Sequence, residues 1–171
     1  MPRSAPRPGE LTTLDDVELT HVDAHGAARM VDVSGKDVTT RTAHARGRFV
    51  TTPEVIALLR RDGLPKGDAL AVARIAGIAG AKRTPDLVPL CHPVALHGVS
   101  VDLELGEDSV MIDARTRTAD RTGVEMEALT SVVTAGLALY DMVKAVDRGA
   151  QLTDVQLVSK AGGRSGEWSR S

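Results

Sequence analysis

Two stretches of strict alternation, separated by a short turn, constrain this chain more than anything else in it. In HGVSVDLEL, residues 97–105, Val99, Val101, Leu103 and Leu105 alternate with Ser100, Asp102 and Glu104. In SVMIDARTRT, residues 109–118, the pattern repeats through Val110, Ile112, Ala114 and Thr116. A period of two belongs to a strand with one face buried. The intervening GEDS makes the two runs an antiparallel hairpin. A long segment follows, about 123–147, with helical spacing and with Gly149 near its C-terminal cap. Thr122 and Glu125 stand at its start in the spacing of a capping box. A half-buried hairpin needs a covering layer, and this helix can provide one.

The rest of the chain extends the pattern. ARGRFVT, 45–51, reads as a short strand. Thr52 can cap a helix over 53–62 with Pro53 at its first position. Val55, Ile56, Leu58 and Leu59 give it an apolar face, and Gly63 and Pro65 end it. Asp68 can cap a second helix, about 69–82, carrying Leu70, Val72, Ile75 and Ile78 among small residues that let another backbone come close. LTDVQLVSK, 152–160, reads as the last strand through Val155 and Leu157. With one helix inserted, the order is β-α-β-β-α-β. The expected fold is α+β: a ferredoxin-like antiparallel sheet with helices packed on one face. Residues 1–17 read as a flexible tail, 18–160 as a single domain, and 161–171 as a mobile Gly- and Ser-rich segment.

Composition narrows the function. The aromatics are Phe49, Tyr140 and Trp168, so the core must be aliphatic and a base-stacking platform is disfavoured. Net charge is −2 with no separate block of cations, so no footprint for nucleic acid is visible. The single cysteine cannot form an internal disulfide, which fits a reducing compartment. No apolar run approaches the roughly 18 residues of a membrane span. The expectation is a soluble cytoplasmic protein without membrane or nucleic-acid partners.

Five clusters could carry chemistry. Lys66 precedes a helix N-terminus, where it reads either as a solvated turn residue or as an anion contact. Lys82 and Arg83 run into Leu90-Cys91-His92-Pro93. Here the lone Cys91 reads as core, while His92 is the better functional candidate. Glu125, Met126 and Glu127 open the long helix; both carboxylates also suit the helix dipole. Asp141 and Lys144 share a helix face, as an exposed ion pair or as a proton-transfer pair. Lys160-Ala161-Gly162-Gly163-Arg164 is a basic, glycine-rich end, loose or able to close over phosphates. The spacing of His92, His97 and Cys91 does not make a metal site, so none is expected. Glu127 and Asp141 lie 14 residues apart, about 21 Å along a helix. If both act on one small ligand, a neighbouring subunit must complete the site.

At this point the chain resembles the cyclic pyranopterin monophosphate synthases, the molybdenum-cofactor biosynthesis family C proteins. The resemblance rests on LTHVDAHGAARMVDVSGKDVTTRTAHARG, KGDALAVARIAGIAGAKRTPDLVPLCHP, TGVEMEALTSV, LYDMVKAVD and VSKAGGRSG, together about residues 19–166. It implies conversion of 3′,8-cyclo-7,8-dihydroguanosine 5′-triphosphate to cyclic pyranopterin monophosphate, with release of diphosphate. It implies no cofactor, and a homohexamer built as a trimer of dimers with sites at subunit interfaces. By motif, Asp141 matches the catalytic aspartate, and Lys144 and Lys66 match lysines of acid/base work and substrate contact. Leu90, Cys91 and His92 match one substrate-binding segment; Met126 and Glu127, with Glu125 beside them, match a second. Lys160 matches a lysine near the glycine-rich end. Arg121 and Arg164 stand where lysine is common in such proteins; arginine grips phosphate but carries protons poorly. The rival readings are a nucleotide sensor that leaves its ligand unchanged, a metal-dependent phosphohydrolase using His92 and His97, and a structural scaffold.

Overall fold

The computed structural model describes residues 25, 27–61, 63–64, 66–164 and 166–171. The expected tail, 1–17, lies outside the described residues, as does Pro65. The chain divides into two compact units, residues 1–31 and 32–171. In the first, the described part shows only an isolated bridge at Ala28.

The second unit runs β1 (Thr39–Val50), α1 (Pro53–Arg60), α2 (Ala69–Ala81), α3 (Thr84–Leu87), β2 (Leu96–Leu105), β3 (Ser109–Asp120), α4 (Glu125–Val143), β4 (Gln151–Ala161) and β5 (Trp168–Ser169). The strands form one sheet in the order β2-β3-β1-β4-β5, and neighbouring strands pair antiparallel. Setting aside the two-residue β5, the inserted helix and the four-residue α3, which the sequence reading did not include, this is the split β-α-β-β-α-β arrangement read from the sequence. The hairpin register pairs Val101 with Ala114 and Leu103 with Ile112.

One face of the sheet is buried. Ala43, Ala45 and Phe49 of β1 and Val110, Ile112 and Ala114 of β3 lie beneath α4. Alternate residues such as His44, Arg46 and Asp113 point the other way. There the Asp113 carboxylate accepts from Arg46 at 3.0 Å and meets His44 Nε2 at 2.5 Å. Helix α2 packs on α4 through its small residues. A Cβ on Gly77 would lie 2.9 Å from Val101 and 3.0 Å from the Ser131 carbonyl, so only glycine permits this approach.

Two expected caps form. Thr52 accepts from the N–H of Val55, and Asp68 accepts from that of Ala71. A third does not. Helix α4 begins at Glu125 with Val124 as its cap and no side-chain cap bond. That makes Glu125 the first helical residue rather than the third, so the box with Thr122 cannot close. The helix also ends early, at Lys144 rather than near Gly149. Its 19 residues are long and apolar enough to cross a membrane, contrary to the reading that no run approaches that length. More than half of that window is buried within the fold, where its apolar residues cover the sheet. The Gly- and Ser-rich end, read as mobile, carries β5: Trp168 pairs with Lys160 and Ser169 with Ser159.

Candidate active site

The structure gathers the candidate residues into two groups at opposite ends of α4. At the C-terminal end, the loop between α1 and α2 carries Lys66 against the last turn of α4. The Lys66 ammonium donates to the Asp141 carbonyl at 2.7 Å and to its carboxylate at 2.9 Å. Lys144, one turn on, reaches the other carboxylate oxygen at 2.7 Å. Asp141 thus sits between two ammoniums. Hydrogen bonds from Lys144 and then Lys66, with their charges, hold its carboxyl down to about 2. The hydrogen bond to Asp141 and its charge in turn raise the Lys144 ammonium above its ordinary value. All three side chains face solvent. A carboxylate exposed yet doubly clamped is poised to bind an anion on its lysines and to take a proton once they are drawn away.

At the N-terminal end, the loop after α3 carries Leu90, Cys91 and His92, and brings Cys91 near enough to the first turn of α4 to feel the charge of Glu127. A turn, closed by the Cys91 N–H donating to the Val88 carbonyl at 3.0 Å, sets the corner between Pro89 and Pro93. Glu127 is 3 % exposed. Desolvation, with Glu125 adding to it, pushes its carboxyl up to about 7. Burial, and then the charge of Glu127, raises the Cys91 thiol, which is therefore neutral at physiological pH. Glu125, free of capping duty, meets Lys160 of β4 at 3.0 Å. Met126 points outward, 39 % exposed. This end offers a hydrogen-bonding carboxyl near its titration point, an uncharged thiol, an imidazole and a half-buried ion pair. Such a set suits a polar ring system. Among the described residues no group of three or more His, Cys, Asp or Glu side chains converges.

The sequence placed every member of both groups but not their pairing. Lys66 and Asp141 are 75 residues apart, and no local spacing announces that they touch. Nor does spacing reveal that Glu127, of the two glutamates that open α4, is the buried one. Its position on α4 between Val124 and Ala128, both buried, is the signal that could have shown it.

Comparison with known proteins now bears on this geometry. The profile described as the MoaC family matches residues 30–163, which include both groups. The chain belongs to the MoaC family. It is 65 % identical over 153 residues to a protein of Streptomyces coelicolor, covering 90 % of each chain. It is 63 % identical over 155 residues to one from a Nocardioides species, covering 89 % of this chain and 95 % of the other. A more distant relative, from Thermomicrobium roseum, is 56 % identical over 155 residues, covering 90 % and 93 %. Each of these relatives is named cyclic pyranopterin monophosphate synthase.

Proposed function

We propose that the protein is a cyclic pyranopterin monophosphate synthase of molybdenum cofactor biosynthesis. It converts 3′,8-cyclo-7,8-dihydroguanosine 5′-triphosphate to cyclic pyranopterin monophosphate and diphosphate. The observation that carries this reading is the Lys66–Asp141–Lys144 cluster, assembled from two distant motifs of a MoaC family chain. Residues 18–160 are its catalytic part, and its setting is the cytoplasm.

The chemistry follows from the charges. Triphosphate oxygens compete for the ammoniums of Lys66 and Lys144. As they engage, Asp141 loses the partners that depress its pKa and becomes a better proton acceptor. A ribose hydroxyl gives up its proton and attacks the innermost phosphorus. The bond from that phosphorus to the bridging oxygen breaks, and the lysine charges stabilise the departing diphosphate. Leu90, Cys91, His92, Met126 and Glu127 orient the base-derived rings, with Glu125 and Lys160 beside them. A carboxyl near 7, as at Glu127, can donate or accept during ring opening and re-closure.

The two groups act on one substrate only if copies associate, and we take the assembly to be a homohexamer, a trimer of dimers. The outer face of α4 supports this. Met126, Val133, Leu137 and Tyr140 recur at helical spacing and are 37–61 % exposed. The midpoint between Glu127 and Asp141 falls beside Val133. Two copies packing α4 antiparallel about that point would set the Asp141 end of each against the Glu127 end of the other.

The test is direct. The cyclic dihydroguanosine triphosphate is incubated with enzyme, with and without a chelator, while diphosphate and oxidised-pterin fluorescence are followed. Both products in equal amount, in both conditions, are expected. Binding without turnover would make the protein a sensor, and loss with chelator a metal hydrolase.

A further inference from the structure

Lys160 faces α4 only because β4 carries an irregularity just before it. Leu157 packs against the core on the α4 side of the sheet, opposite Ala45 of β1. Lys160 faces the same side: it stands opposite the buried Ala43 and meets Glu125 of α4 at 3.0 Å. The two residues are an odd number of positions apart, and in a regular strand they would point to opposite faces. The register resolves this. Ser159 pairs with His44 and Leu157 with Ala45, so Val158 has no counterpart in β1 and forms a bulge. Ser159 accordingly lines the open face of the sheet, with His44 and Arg115. In a ladder running on without the bulge, Ser159 would stand opposite Ala43 and Lys160 opposite Thr42, on the open face and away from Glu125.

The bulge is held from outside by the end of the chain. Strand β5 joins β4 at the two residues beyond it, with Trp168 opposite Lys160 and Ser169 opposite Ser159. Arg170 then reaches back to the bulge itself. Its N–H donates to the Val158 carbonyl at 2.8 Å, and its Nε donates to the Leu157 carbonyl at 2.9 Å. Its guanidinium lies over the Trp168 ring, 5.7 Å from the centroid, within the range of a cation–π contact. One residue thus takes up two successive carbonyls where the ladder is broken, and is itself fixed by the ring beside Lys160. A slip of one residue would remake the regular ladder, and Arg170 opposes it through these bonds.

We propose that Arg170 is a positioning residue: by pinning the Val158 bulge it keeps the Lys160 ammonium on the α4 side of the sheet, against Glu125. Its bearing on turnover rests on the synthase reading, in which Lys160 stands beside the bound rings; the bulge and its clasp do not. The sequence carries no signal for this role. Arg170 lies in a segment that reads as mobile, and it meets Leu157 from 13 residues away only because the chain reverses after β4.

Amine acetylation of the full-length protein, mapped by peptide mass spectrometry, reads the position of Lys160 without turnover. Lys160 is shielded in its pair, whereas Lys66 and Lys144 at the other end of α4 are more exposed and serve as internal references. Arg170→Gln removes the Nε donor and the charge over the ring. It is expected to raise the Lys160 rate about fivefold, the shift one hydrogen bond is worth, and to leave both references unchanged. With the cyclic dihydroguanosine triphosphate, the same variant should raise KM by a similar factor. In a Lys160→Gln background it should change KM no further. An unchanged Lys160 rate in Arg170→Gln overturns the proposal, as does a rise shared equally by all three lysines, or a KM effect that persists undiminished without Lys160. A wild type that fails to turn over the triphosphate, while its Lys160 rate responds to Arg170→Gln as expected, would overturn the function and leave the clasp standing.

Discussion

The ammonium of Lys66 bridges the carbonyl and the carboxylate of Asp141, at 2.7 and 2.9 Å, and so ties the loop before α2 to the last turn of α4. The tie leaves the Asp141 carboxylate in contact with a second ammonium, that of Lys144. Both pairs face solvent, so they set the charge at this spot more than they hold the fold together. Lys66→Gln is expected to lower kcat about a hundredfold, the order of loss seen when one preorganised donor is removed. The melting temperature should not change. A large fall in melting temperature would show instead that the contact is structural.

Glu127 makes a prediction about pH. Its carboxyl is held to about 7 against an ordinary 4.5. The folded chain therefore holds this proton more tightly than the unfolded chain does. Below pH 4.5 both forms are protonated and burial of the group carries no charge penalty. Between 4.5 and 7 the unfolded chain ionises first and stability falls; above 7 the loss is complete, at most about 3 kcal/mol. Denaturant titrations at pH 5 and pH 8 should show this loss in the wild type and not in Glu127→Gln. The same variant should lose turnover, since an amide cannot exchange the proton.

Cys91 should behave as a contact and not as a nucleophile. Burial and the nearby Glu127 carboxylate keep its thiol protonated at neutral pH. Alkylation by iodoacetamide is expected to be slow at pH 7.5 and to accelerate only well into the alkaline range. Cys91→Ala should keep turnover within about tenfold, since it removes only a modest packing contact. Complete loss of product would mean that the thiol reacts.

Much of this arrangement was legible in the chain. The alternation of Val99–Leu105 and Val110–Thr116 placed the hairpin to within two residues at its ends, and the caps at Thr52 and Asp68 formed where their chemistry put them. Other features were hidden for physical reasons. β1 begins at Thr39, six residues before the expected start, because Thr39–Thr42 are polar and are strand through pairing with β3 and, at Thr42, with β4. The Thr122–Glu125 box failed because Lys160, brought by β4 from 35 residues away, offers Glu125 a charged partner. The site motifs were recognisable, but the union of Lys66 with Asp141 and the burial of Glu127 depend on tertiary packing that no local pattern encodes.

The separation of Glu127 and Asp141 along α4 gives a test of composite sites. Asp141→Asn and Glu127→Gln subunits, each inactive alone, are unfolded together and refolded. Random pairing about the α4 seam gives one intact site in each mixed dimer. Activity should return to about a quarter of the wild-type value, the fraction expected for an isologous two-site pair. If each chain completed its own site, the mixture would stay inactive.

The central claim is that Asp141 performs the chemistry of a synthase, and one comparison tests it most directly. Wild type and Asp141→Asn are purified, shown to have the same melting temperature and assembly, and given the cyclic dihydroguanosine triphosphate. The expected result is pterin and diphosphate in equal amounts from the wild type and neither from the variant. Product from Asp141→Asn at the wild-type rate would contradict the account.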